Sequence, residues 1–108
     1  MKYLKFIRNV ELDPEEILMV ESDVNYSNIW LLNGKKVIIA KTLKQISEIV
    51  KDAPFVRVNR KTVLNINHIE KYTGSDEAQL SNGLKISFSR RRASLAHIQI
   101  NQYLSSQF

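Results

Sequence analysis

The sequence contains no cysteine and only three glycines and two prolines among its 108 residues. Without cysteine the chain has no disulfide, no thiolate zinc site and no cysteine nucleophile, which fits a reducing compartment. Uninterrupted apolar runs reach only four residues, as in Ile17–Val20 and Val37–Ala40, so none of them can span a bilayer. The charged N-terminal stretch also lacks the hydrophobic block of a signal peptide. We therefore expect a cytoplasmic protein that has no membrane partner.

The residues of common catalytic sites are also scarce. The two histidines, His68 and His97, lack the spacing of a metal site. Ser94 and His97 stand one helical turn apart, but no acid lies near them in sequence to orient the imidazole. There is no glycine-rich phosphate loop, because two of the three glycines belong to predicted hairpins. We expect no enzymatic activity, no metal and no cofactor.

Composition indicates an ordinary globular domain. Apolar residues make up 44% of the chain and charged residues 25%, which argues against general disorder. A mass of 12.5 kDa allows one compact domain, so residues 1–108 are expected to form a single domain.

The distribution of charge is more informative than the net charge of +5. Residues 35–61 carry +6 and residues 84–108 carry +4, whereas residues 1–34 carry −3 and residues 62–83 carry −2. A fold that brings the two basic segments together would have one basic face, which is the usual footprint of a nucleic-acid binder. Ordinary solvated charge is the alternative.

Two Asn-Gly pairs predict β-hairpins, because Asn-Gly tolerates positive φ at both central positions of a two-residue turn. Asn33-Gly34 would join strands at Asn28–Leu32 and Lys35–Ala40, and Asn82-Gly83 would join strands at Ala78–Ser81 and Leu84–Ser89. In the last of these strands, Leu84, Ile86 and Phe88 alternate with polar residues, which indicates a half-buried strand.

A helix is predicted after each hairpin. The first begins at the capping box Thr42–Gln45 and ends before Pro54. The second has a broad apolar face, made of Ala93, Leu95, Ala96, Ile98, Ile100, Tyr103 and Leu104. Further strands are predicted at Ile17–Ser22, Phe55–Asn59 and Ile69–Tyr72. The fold class is therefore mainly β with short α-helices, as one compact domain of antiparallel hairpins.

Polar and basic residues follow directly on predicted strands. Arg60 and Lys61 come after Phe55–Asn59, and Arg90, Arg91 and Arg92 come after Leu84–Ser89. The segment Asp23–Asn28, rich in amide and hydroxyl groups, is predicted to be a third loop. Arginine and asparagine can bind purine edges bidentately, and lysine and serine suit phosphates. Surface salt bridges, or packing of the aliphatic stems, are the alternative for each basic residue.

The chain resembles the LytTR-type DNA-binding domain over roughly residues 10–104. The resemblance lies in Val20–Asp23 leading into Asn25–Ser27, in Lys41–Leu43, in Phe55–Asn65 followed by Ile69, and in Ile86–Arg91. It is most specific in Phe55–Asn65. The family often has histidine at the position of Asn59 and a small residue at the position of Lys61, which is a difference in a contact loop.

The resemblance implies a bacterial DNA-binding module, made mainly of strands, that reads DNA through loops. It is usually the output domain of a two-component regulator and binds paired or repeated sites, with a possible homodimer on DNA. The implied contacts lie around Asn25 and Ser27, at Arg60 and Lys61, and at Arg90. Together with neighbours in the same loops, the candidate site is Asn25, Tyr26, Ser27, Asn28, Arg60, Lys61, Arg90 and Arg91.

The leading interpretation is a sequence-specific transcriptional regulator that reads the major groove of double-stranded DNA. A small basic RNA-binding β module is the first alternative, although single-strand RNA readers usually present aromatics on one sheet face. The aromatics here are scattered, mostly at apolar strand positions. An interaction domain that binds no nucleic acid is the second alternative.

Overall fold

The chain folds into ten strands and two helices over the described residues, 3–72 and 74–107, of a computed structural model. The elements are β1 (Leu4–Ile7), β2 (Val10–Leu12), β3 (Ile17–Asp23), β4 (Tyr26–Leu31), β5 (Lys36–Ile39), α1 (Leu43–Ile49), β6 (Phe55–Asn59), β7 (Thr62–Asn65), β8 (Ile69–Tyr72), β9 (Glu77–Leu80), β10 (Lys85–Ser87) and α2 (Arg90–Ser105). Single 3-10 turns lie at Pro14–Glu16 and Ile66–His68. The predicted fold class, mainly β with short helices, is confirmed. Within the described residues, neither helix is long and apolar enough to cross a membrane.

All strand pairs are antiparallel and form three sheets. The largest has the order β5-β4-β3-β7-β6, a second has the order β10-β9-β8, and β1 pairs with β2. Neighbouring strands of the largest sheet are joined by hairpins, except β3 and β7. These two strands pair from Met19↔Leu64 to Glu21↔Thr62. This pairing places the β3–β4 and β6–β7 turns at the same end of the sheet.

The central strands of the five-stranded sheet, β3 and β7, are buried on both faces. On one face α2 and the three-stranded sheet cover a core that includes Leu64, Leu80 and Ile100, and on the other face α1 covers Ile17 and Val63. A central strand that is buried on both faces needs consecutive apolar residues, which explains the run Ile17–Val20.

The local signals for α1 are confirmed. The Thr42 hydroxyl accepts from the Gln45 amide at 3.2 Å and the Gln45 side chain accepts from the Thr42 amide at 2.9 Å, which is the predicted capping box. The predicted breadth of the apolar face of α2 is wrong. Leu95 and Ile98 are 57% and 53% exposed. The buried face of α2 is narrower and consists of Ala93, Ala96 and Ile100.

The two Asn-Gly hairpins form as predicted, but with longer turns. Leu31 donates to the Lys35 carbonyl, and Gly34 has a φ of +86° while Asn33 does not adopt positive φ. This is the geometry of a three-residue loop that ends in a left-handed glycine. The Asn33 side chain accepts from the Lys35 amide, as Asn82 does from Leu84. Asparagine thus acts here through its side chain rather than through a positive φ.

The prediction of a loop over Asp23–Asn28 is wrong for its second half. β4 begins at Tyr26, which pairs with Asp23, so that only Val24 and Asn25 form the turn. Ser27 is fully buried, and its hydroxyl donates to the Lys41 carbonyl at 2.5 Å. Asn28 is also buried. The polar side chains of this segment suggested a loop. The hydrogen-bond partner that allows Ser27 to be buried lies 14 residues away, so the local sequence does not reveal it.

Replacing Val24 by glycine is expected to stabilise the protein by about 1 kcal/mol, because a β-branched residue in the left-handed region is strained. Val24 has a φ of +56° and is 91% exposed, so that the change removes little packing. Denaturant unfolding of wild type and variant measures the difference. Asn25→Gly is the control and should give no gain, because Asn25 has no positive φ to relieve. An unchanged or lower midpoint for Val24→Gly would show that the turn is unstrained.

Candidate nucleic-acid interface

Three predicted contact segments meet at one edge of the molecule. The Ser22 amide donates to the Lys61 carbonyl at 2.9 Å, which joins the end of β3 to the β6–β7 turn. The Ser89 amide donates to the Val58 carbonyl at 2.9 Å, which joins the start of α2 to β6. The β6–β7 turn therefore lies between the β3–β4 turn and the N-terminus of α2.

The Asn59 side chain connects two of these segments by hydrogen bonds. Its side-chain oxygen accepts from the Lys61 amide at 2.8 Å, and its side-chain nitrogen donates to the Ser87 carbonyl at 2.8 Å. A single side chain thus shapes the turn that carries Arg60 and Lys61 and connects it to the strand that leads into α2. Arg57 supports the same turn, because its Nη2 donates to the Arg60 carbonyl at 2.9 Å.

The N-terminus of α2 presents two exposed arginines. Ser89 caps the helix by accepting from the Arg92 amide at 3.3 Å, and Arg90 and Arg91 in the first turn are exposed. The first turn contains no acidic residue. Cations at this end oppose the helix dipole, which costs about 0.3–1 kcal/mol each. Their placement is unfavourable for the helix itself and favours an anionic partner.

The β3–β4 turn contributes side chains of a different kind. Val24, Asn25 and Tyr26 are exposed, whereas the predicted contact residues Ser27 and Asn28 are buried in β4. A fully buried Ser27 side chain cannot reach a duplex in this conformation. Of the four predicted contact residues in this segment, Asn25 and Tyr26 are therefore exposed at the edge, whereas Ser27 and Asn28 lie in the protein interior.

An open groove of about 540 Å³ runs between the β3–β4 and β6–β7 turns. Three cations, Arg57, Arg60 and Lys61, line it together with Asp23, Val24 and Tyr26 and with the start of α1. We call this surface, together with Arg90 and Arg91, the basic edge.

The cations of the basic edge have no acidic partners within the described ranges. Salt bridges there join Lys51 to Glu48 and His97 to Asp76, and neither involves Arg60, Lys61, Arg90 or Arg91. Among residues 3–72 and 74–107, no salt bridge holds these four side chains, so their charge is left to solvent or to an anionic partner.

His97 packs between α2 and the three-stranded sheet. His97 Nε2 lies 2.9 Å from Asp76 Oδ1, and its Nδ1 contacts the Tyr72 hydroxyl, so the orienting acid comes from the β8–β9 connection. The ring packs on Phe88 with centroids 5.2 Å apart. Burial raises the pKa of Tyr72, and the charge of Asp76 raises it further, against the hydrogen bond from Asn101. These contacts anchor α2 to the three-stranded sheet.

Nothing in the described part of the chain assembles a metal site, since no group of three or more His, Asp or Glu side chains comes together there. Sequence reasoning missed Asn59, Arg57 and Lys44 as parts of the edge. The alternation within Phe55–Asn59 places Arg57 on the opposite face of the strand from the buried Val56 and Val58. This pattern could have identified Arg57 as part of the edge.

The fold has counterparts among known proteins. The LytTr DNA-binding domain family matches residues 8–99. Among solved structures, the LytTr DNA-binding domain of a putative methyl-accepting/DNA response regulator from Bacillus cereus superposes with a TM-score of 0.72, at 19% sequence identity, over 92% of this chain and 94% of that one. No curated protein gives a significant match. At this identity the structural likeness shows a shared fold, and the match over residues 8–99 shows that the chain belongs to the LytTr DNA-binding domain family.

Proposed function

We propose that this protein is a sequence-specific transcriptional regulator that reads the major groove of duplex DNA through the basic edge. The observation that carries the proposal is the convergence of Arg60, Lys61, Arg90 and Arg91 at one edge, without acidic partners among the described residues. Arginine can bind guanine O6 and N7 bidentately, whereas lysine is a point charge suited to phosphate.

The roles follow from how each residue is held. Arg90 begins a helix whose cap and backbone are fixed to β6, so it is a rigid platform for base readout. Arg60 and Lys61 lie on a turn braced by Asn59, and Lys61 is assigned to phosphate. Asn25 and Tyr26 are exposed on the neighbouring turn and complete the contact surface.

The solved relative is described as part of a response regulator, and we propose a corresponding role here. The domain would be the DNA-binding output of a bacterial two-component system in the cytoplasm, as a single domain over residues 1–108. No enzymatic step or cofactor is part of this proposal, and the family is named for DNA binding.

RNA binding is the weaker alternative. Readers of single-stranded RNA stack bases on aromatics of an open sheet face. Core clusters cover both faces of the central strands β3 and β7, and Phe6 and Phe88 are buried within those clusters. Among the residues of the basic edge, Tyr26 is the aromatic that is exposed, at 52%.

Selection from a random duplex pool tests the proposal, followed by mobility shifts with the selected duplex, a scrambled duplex and RNA of the same sequence. We expect enrichment of a defined motif and preference for the selected duplex over both competitors. Equal affinity for selected and scrambled duplexes would contradict sequence-specific regulation, and preference for RNA would support the alternative.

We also expect two phased sites to bind this protein at least about tenfold more tightly than one site, because contact between two copies on the DNA links the second binding event to the first. The domain is small, with principal extents of 37 × 31 × 24 Å, so one copy covers little DNA. Titrations with one site, two sites about 10.5 base pairs apart, and two sites offset by half a helical turn measure the effect. Equal affinity per site at every spacing would show that the copies act independently.

A further inference from the structure

A second basic groove adjoins the basic edge. This cleft, of about 310 Å³, lies between α1, β6 and α2. It is lined by Lys44, Ser47, Val50, Lys51, Phe55, Arg57, Val63, Arg92, Leu95 and Gln99. Lys44 and Arg57 also line the groove of the basic edge, so that the two surfaces are continuous.

The cleft carries positive charge that the protein does not neutralise. Its lining includes four cations and no acidic residue. Lys51 pairs with Glu48 at 2.9 Å, whereas the salt bridges of the described residues do not involve Lys44, Arg57 or Arg92. Burial lowers the pKa of the Arg57 guanidinium, and the like charge of Arg92 lowers it further. Two guanidinium groups that repel each other favour an anion between them.

Two residues that line the cleft also have polar atoms without a hydrogen-bond partner among the described residues. Arg57 Nε and Ser47 Oγ are buried and make no hydrogen bond to any described residue. An unpartnered buried donor is costly, and most such groups in folded proteins are satisfied. A phosphate has the charge and the acceptor oxygens that this cleft lacks.

We infer that the cleft between α1 and α2 binds a backbone phosphate of the DNA duplex, next to the segment that the basic edge reads. Continuity with the basic edge through Lys44 and Arg57 selects the duplex backbone over a separate small anion. This inference rests on the proposed function and extends the footprint beyond the three contact segments. Lys44 and Arg92 are the contacts, and Arg57 both faces the cleft and holds the Arg60 turn.

The double variant Lys44→Gln and Arg92→Gln tests the inference and leaves Arg57 in place to support the turn. Two lost phosphate contacts should lower the magnitude of the salt slope by about 1.8, and weaken binding of a duplex of about two helical turns on the order of tenfold. A duplex of about one turn, ~10 base pairs, lacks the flanking phosphate, so the double variant should lose less affinity for it, and that smaller loss comes from Lys44, which also lines the basic edge. The matched control is Lys35→Gln with Lys71→Gln, which removes the same charge from two exposed lysines that line neither groove.

The outcomes separate this inference from the proposed function. If wild type binds the long duplex and the double variant binds it equally well, or loses no more affinity than the control, the cleft assignment is overturned. Equal losses on short and long duplexes overturn it as well. Another contrary outcome combines two results: free inorganic phosphate at constant ionic strength raises the melting temperature of the wild type, and the variant binds long and short duplexes like the wild type. That pair of results would assign the cleft to a small anion and overturn the inference. Failure of wild type to bind any duplex would instead contradict the proposed function.

Discussion

Replacing Arg90 by alanine is expected to weaken binding of the preferred duplex by about 1–3 kcal/mol and to relax the preference at one base position. The backbone of Arg90 is held from both sides, since Ser89 caps the helix and its amide bonds to the Val58 carbonyl. A rigid backbone and a planar side chain with five donors suit bidentate readout of guanine.

Lys61 gives the contrasting result. Lys61→Ala should weaken all duplexes about equally and lower the magnitude of the salt slope by roughly one unit, as expected for a phosphate contact. Arg90→Lys keeps the charge and removes the bidentate geometry, so it should resemble Arg90→Ala in base preference. The measurement is affinity for a panel of single-base variants of the selected duplex.

Thermal stability controls for a purely structural role of Arg90. The side chain is exposed and opposes the helix dipole, so that its removal should leave the melting temperature unchanged or slightly raised. An early melting transition with unchanged base preference would show that Arg90 serves the helix rather than the DNA.

Asn59→Ala is expected to lower the free energy of unfolding by about 1–3 kcal/mol and to weaken duplex binding at the same time. The change removes the bonds to the Lys61 amide and the Ser87 carbonyl, and with them the link between the β6–β7 turn and the strand leading into α2. The affinity loss arises because Arg60 and Arg90 are no longer held in a fixed relation.

Asn82→Ala is the matched control, because Asn82 makes a comparable turn bond to the Leu84 amide at 3.1 Å and lies in the other hairpin. It should cost a smaller amount of stability and leave duplex affinity unchanged. Urea unfolding and duplex titration of both variants provide the comparison. Equal affinity losses for the two variants, at temperatures where both are folded, would contradict a positioning role for Asn59.

Much of the fold follows from local patterns. The capping box at Thr42 and the Asn-Gly turns depend on side chains within three residues of their partners, so the sequence alone reveals them. The pairing of β3 with β7 and the burial of these strands on both faces depend on contacts distant in sequence, such as Met19↔Leu64. The strands β1 and β2 were not predicted, because their short stretch mixes charged and apolar residues.

The sequence alone identifies most exposed cations of the basic edge, but not the residues whose hydrogen bonds hold them in place. Arg60, Lys61 and Arg90 follow directly on patterned strands, which marks them from the sequence. Ser27 is a buried strand residue whose partner lies at Lys41, and Asn59 bonds the distant Ser87 carbonyl as well as the nearby Lys61 amide. No local signal reveals the two distant partners. The family resemblance indicated the segments, and the structure shows which of their side chains face outward.

The salt dependence of duplex affinity tests the central claim most directly, since a surface of unneutralised cations binds DNA by displacing condensed counterions. Each phosphate contact adds about −0.9 to the slope of log affinity against log salt, so the four cations Arg60, Lys61, Arg90 and Arg91 set an upper limit of about −3.6 for the edge alone. We predict a slope between about −2.7 and −3.6 for the wild-type protein on a short duplex of about one helical turn, where base readout by Arg90 in place of a phosphate contact accounts for the smaller magnitude. A slope near zero between low and physiological salt would contradict DNA binding by the basic edge.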